Sequence, residues 1–242
     1  MKWLLKGWVV YRLMPCSRQT LMPGQSQVYV MAPRKKKESA SAQEEAPMKL
    51  FYIFYSQERW DNWINSLREA DFEGGDDDDM PEGYQLLNGF NQDICIEVLK
   101  IIKLYQNNRF SKEESMNKLI EVEEIIMEQE VGEDMIELIA PMHFQLLVLF
   151  ASAKKYLEGG YDEDIKALVK KGRSIDEENT EELLAIAAEI GANVINGKSC
   201  CGRYIKDSED MGVFDEWLIQ IETMNEAMGT LKNFDEEAGE VS

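Results

Sequence analysis

Histidine is almost missing from this chain of 242 residues: His143 is the only one. Any Ser–His–Asp or Cys–His nucleophile would have to use it. It lies in the most apolar stretch of the sequence, where a core imidazole is the expectation and a catalytic base in an open cleft is not. Cysteine is also scarce, and the four present are Cys16, Cys95, Cys200 and Cys201. Neighbouring cysteines rarely bridge each other, and Cys95 falls within a regular apolar helical pattern. No disulfide framework emerges, which suits a reducing compartment. Adjacent Cys200 and Cys201 also lack the short separation a tetrahedral zinc site wants, so no metal site is expected.

Basic charge is scarce too, and unevenly placed. Residues 1–50 hold nine Lys or Arg against three Glu, a net of +6, while the other 192 residues hold 17 basic and 43 acidic side chains, a net of −26. A body of that sign repels phosphate backbones, so nucleic-acid binding is not expected of it. Its acidity suits solubility, or a negative docking face for a basic partner. Long apolar runs are missing as well. The N-terminal KWLLKGWVVYRLM is interrupted by Lys6 and Arg12, too short and too charged for a membrane span and a poor secretory signal. The expected location is cytoplasmic.

Three parts are expected. Residues 1–47 differ in composition from everything downstream, and 32–47 (APRKKKESASAQEEAP) are polar and of low complexity. They read as a disordered basic arm, or as an extension ahead of a true start at Met31 or Met48. Arg34 to Lys37 could touch nucleic acid if that arm is translated. Residues 48–235 read as one acidic all-α domain, and 236–242 as a disordered acidic tail.

Within the domain, LFYIFY (50–55) could be a short strand. Ser56 can cap a helix running to about Ala70, with Trp60, Trp63, Ile64 and Leu67 on one face. The glycines and four adjacent aspartates of 71–83 make an acidic loop. Apolar spacing predicts a helix from about 84 to 107, ended by two asparagines. Ser111 and Glu114 form a capping box for another to about Gln129, antiparallel to the first because the join is short. Residues 134–157 are the most apolar segment, with Phe144 to Ala151 apolar nearly all round, and predict a central, fully buried helix, stopped by Gly159-Gly160. A short helix over 162–171 follows, then one capped by Thr180 and ended by Asn196-Gly197. The last runs from Met211 to Leu231. The expectation is a bundle of about six helices with at most one short strand.

Motif spacing excludes more than it offers. Asp207, Glu209 and Gly212 match three positions of a calcium loop, but Met211 and Leu218 occupy ligand positions and the bidentate glutamate is missing. Gly191 and the later Gly-Lys-Ser (197–199) are one residue too far apart for a phosphate loop, and a helix precedes them where a strand should. The segment GKSCCGRYIK (197–206) is still a basic, glycine-punctuated spot in an acidic domain. Lys198, Ser199 and Arg203 are therefore the candidate residues for an anion or small ligand. Phe51, Phe54, Tyr55, Trp60 and Trp63 form a dense aromatic edge. Such a cluster suits either core packing or an interface with a partner or a second copy.

The segments KLFYIFYSQERWDNWINSL (49–67), LKIIKLYQNNRFSKEESMNKLIEVEEI (99–125) and ANVINGKSCCGRYIK (192–206) resemble an archaeal family of unknown function, found in methanogens and haloarchaea. The resemblance implies an archaeal cytoplasmic protein and carries no activity. The functional expectation is a non-catalytic acidic adaptor or regulator that binds a protein partner or itself, with no cofactor. The alternative is a small-ligand or anion-binding protein, even an enzyme, with its site near 197–206.

Overall fold

In a computed structural model, the structure describes residues 53–73, 80–198, 204–205 and 211–231. The chain divides between Ala46 and Pro47, and every described residue belongs to the second part. The described residues form helices and no strand: α1 (Gln57–Glu69), α2 (Glu82–Gln106), α3 (Lys112–Met127), α4 (Ile136–Glu158), α5 (Ile165–Gly172), α6 (Thr180–Ile195) and α7 (Val213–Thr230). Each helix placed by apolar spacing and end signals forms, the short α5 over 162–171 included, which makes seven against a count of about six.

Local signals set most of the boundaries. Ser56 caps α1 by accepting from the Arg59 amide, and Trp60, Ile64 and Leu67 at i, i+4 and i+7 are buried. Ser111 and Glu114 complete a reciprocal capping box at the start of α3. Between α2 and α3, Asn108 adopts φ 57°, the left-handed turn that asparagine tolerates, and the amides of Arg109 and Phe110 both reach back to the Leu104 carbonyl. Gly159 and Gly160 (φ 79° and 69°) end α4, and Gly197 (φ 90°) follows α6, as helix ends of this kind require. One cap differs from expectation. Asn179, not Thr180, precedes α6, and its side chain accepts from the Glu182 amide. Asn is the stronger N-cap, and Thr180 becomes the first helical residue.

The strand expected over 50–55 does not form in its described part. Residues 53–56 run without regular structure into α1, and the Lys100 ammonium, 2.7 Å from the Ile53 carbonyl, takes the place of a sheet partner. Phe51 and Tyr52 lie outside the described residues.

α4 occupies the centre, touching α2, α3, α6 and α7. By length and composition it is the one described helix apolar enough to cross a membrane, and Ile139, Leu146, Leu149 and Phe150 are instead packed into the core. It is central but not fully buried, which corrects the sequence reading: Pro141 is exposed and Phe144, Gln145 and Leu147 are half-buried. α4 meets α6 most extensively, and Gly191 sets how close they come. A Cβ there would sit 1.9 Å from the Ser152 hydroxyl. The core extends through Phe90, Ile94, Leu99 and Ile102 of α2 to Trp217, Leu218, Ile221 and Met224 of α7. The Trp217 indole N–H is satisfied by the Phe144 carbonyl at 2.9 Å.

Candidate functional site

The aromatic edge and a charged cluster meet where α1, α2 and the lead-in to α1 converge. Asp93 and Glu97 stand one turn apart on α2, facing α1. The Arg59 guanidinium engages both, with Nε 2.9 Å from Asp93 and Nη1 3.2 Å from Glu97. Asp93 also accepts from the Trp63 indole at 2.8 Å. Lys100 lies 2.7 Å from the other Glu97 oxygen, and Glu97 and Lys100 are only 2% and 6% exposed. Phe54 takes the Lys100 and Lys118 ammoniums over its ring at 4.9 and 5.1 Å. Charges this well buried persist only when paired, so the network clamps the 53–56 segment and α1 onto α2.

The candidate interface residues fall inside this clamp. Tyr55 and Trp60 are core residues, 5% and 3% exposed. Burial, with Asp93 second, raises the Tyr55 phenol well above its usual ionisation range, and its hydroxyl is buried without a partner. Trp63 stacks on Phe90 with ring centres 5.3 Å apart, and Phe54 packs against Phe110 at 5.7 Å. Phe54 and Trp63 keep partial exposure, and Phe51 lies outside the described residues. Most of the apolar area of this cluster is spent on the core.

His143 is 5% exposed and stacks on Trp60 at 5.7 Å. Its Nε2 is buried without a partner. Burial holds the imidazole pKa down to about 4, against a smaller opposing effect of a hydrogen bond to the Ile126 backbone. It is a neutral core side chain. The buried Cys95 thiol is likewise pushed up to about 12 by desolvation, far from the thiolate form that chemistry needs. Among the described residues no three His, Cys, Asp or Glu side chains converge to hold a metal ion.

The candidate anion site is described in part. Lys198, just beyond α6, borders a surface hollow lined by Asp162, Glu163, Asp164, Ile165, Lys166 and Tyr204. Its ammonium pairs with the Glu163 carboxylate at 2.8 Å and the Glu163 carbonyl at 3.1 Å. Among the described lining residues three acids face two lysines, a negative balance that does not favour an anion. Its acids also have local work: Asp162 accepts from the Asp164 amide and Asp164 caps α5. Beneath it the Asn193 amide holds the Asp162 carbonyl at 2.7 Å. Ser199, Arg203, Cys200, Cys201, the calcium-like residues 207–209 and the basic arm 34–37 lie outside the described residues.

A further surface stands out that sequence reading did not single out. After Glu82, no exposed residue of α2 is charged: these are Tyr84, Gln85, Asn88, Gln92 and Ile96. Tyr84 is 46% and Ile96 41% exposed, and Met80 ahead of the helix is 53% exposed. Met80 is folded back onto the helix, its carbonyl bound by Gln85 at 2.7 Å and its sulfur 3.5 Å from the Asn88 amide. The signal was present as a run of ten uncharged residues, 83–92, in a chain that is 30% charged.

A family model described as an uncharacterized protein conserved in archaea (DUF2150) matches residues 53–237. No curated protein and no solved structure matches the chain.

Proposed function

We propose that this chain, which belongs to that family of uncharacterized archaeal proteins, is a non-catalytic acidic interaction protein, an adaptor or regulator whose partners are proteins, further copies of itself among them. The observation that carries the reading is the uncharged, partly apolar face of α2 on a body of net charge −26. Exposed apolar side chains cleared of charge mark the centres of protein interfaces. The ionisable groups closest to forming a site support the same view, because each has a structural task. Arg59, Asp93, Glu97 and Lys100 clamp α1 to α2, and Arg173 with Asp215 ties α5 to α7. Cytoplasmic residence is part of the same proposal.

The alternative, an anion or small-ligand site near 197–206, gains nothing from the described geometry, since Lys198 is neutralised by Glu163. Thermal-shift screening of the full chain against nucleotides, phosphorylated metabolites and divalent metals separates the two. A ligand at a hundredfold excess over its Kd stabilises by about 2.7 kcal/mol. The reading predicts a flat screen, together with a protein that co-purifies from the source cells and binds the purified chain directly in calorimetry. A specific thermal shift lost in Lys198→Ala, with no protein bound, would replace it with the alternative.

A further inference from the structure

We infer that the α2 face is a two-fold self-association surface, on which a second copy of this chain packs its own α2 antiparallel to the first. This rests on the interaction reading above and names one partner and the surface it meets. Charge selects the occupant. Two bodies of like sign repel wherever acids face acids, and α1, α3, α4, α6 and α7 all expose acids. A basic partner would gain most on those helices and least on a face without charge. A second copy has the opposite preference, because an uncharged face is where two such chains approach without repulsion.

The order of residues along α2 suits a two-fold axis. Tyr84, Asn88, Gln92 and Ile96 form an i, i+4 ridge, the commonest surface by which helices pack, about 18 Å long at 1.5 Å per residue. An axis between Asn88 and Gln92 sets Tyr84 of one copy opposite Ile96 of the other, and Asn88 opposite Gln92. Each amide side chain both donates and accepts, so the central pair can satisfy itself in either copy. At the ends, Glu82 is the first exposed charge on α2 and Lys103 lies in its last turn. Antiparallel packing turns the acidic end of each helix toward the basic end of its partner. Met80 is held over the same ridge by its contact with Asn88 and widens the apolar seam.

Sedimentation of the full chain tests this. The expected mass is twice the 27.9 kDa chain, and the association tightens as salt rises from about 0.1 M to about 1 M, where screening shortens from about 10 Å to about 3 Å. Gln92 is exposed and outside the core, so Gln92→Glu and Gln92→Lys should fold normally. Each alone should weaken the dimer at least about tenfold by placing like charges at the axis, and an equal mixture of the two should restore it. A strict monomer at every concentration overturns the inference while leaving the interaction reading standing if another protein binds. A dimer indifferent to both substitutions uses another face, and overturns it equally.

Discussion

Acidification should destabilise this protein through one side chain. His143 is 5% exposed, and burial lowers its pKa from 6.5 to about 4. The unfolded chain therefore takes up a proton between those two values that the folded chain refuses. Stability contributed by the neutral imidazole is complete above pH 6.5 and is lost as the pH falls toward 4. Each tenfold difference in proton affinity between the two states corresponds to about 1.4 kcal/mol, so the full loss is about 3 kcal/mol, with about 2 kcal/mol already gone at pH 5. A variant without the imidazole cancels every other pH-dependent contribution. His143→Phe keeps a ring against Trp60 and removes the titration. Urea unfolding followed by tryptophan fluorescence at pH 7.5 and pH 5 should show the wild-type chain losing about 2 kcal/mol more than His143→Phe. The imidazole is unique in the sequence, so its NMR signals in the folded chain need no assignment and should not titrate near pH 6.5. Parallel stability profiles for the two proteins, or an ordinary folded-state titration, would mean that His143 is not held neutral by burial.

Three further substitutions test the packing and the clamp. Gly191→Ala should cost about 1–3 kcal/mol in chemical denaturation, because its Cβ would meet the Ser152 hydroxyl at 1.9 Å. Lys100→Met strips Glu97 of its buried ammonium and frees the Ile53 carbonyl; we expect a loss of about 3 kcal/mol and faster proteolysis ahead of α1. Ser111→Ala opens the capping box of α3 and should cost about 1 kcal/mol, read as a lower thermal midpoint without loss of helical circular dichroism.

What could be read in advance was local. Ser56, the Ser111–Glu114 pair, Gly159-Gly160 and Gly197 mark helix ends through their own backbone and side-chain preferences, and the structure keeps each of them. The choice between Asn179 and Thr180 turned on which side chain reached the free amides, a matter of one residue that composition leaves open. Side-chain pairing across the fold was not legible. Arg59 meets Glu97 across 38 residues and Lys198 meets Glu163 across 35, so neither could be found without knowing which helices touch. Lys198 read as a free cation for that reason. The aromatic edge was recognised as a cluster, but only the approach of α2 and α4 turned Trp60 into core. The uncharged run of α2 was visible as composition, yet periodicity alone could not tell which of its sides α1, α4 and α7 would leave uncovered.

Site-specific photocrosslinking shows whether the uncharged surface of α2 meets protein in the cell. A photoreactive side chain placed at Gln92, and in a control chain at Glu181 on the exposed acidic turn of α6, reports what each face touches in the source cells. We expect protein adducts from position 92, with another copy of the chain among them, and few from position 181. Adducts from position 181 alone, or none from position 92, would contradict that expectation.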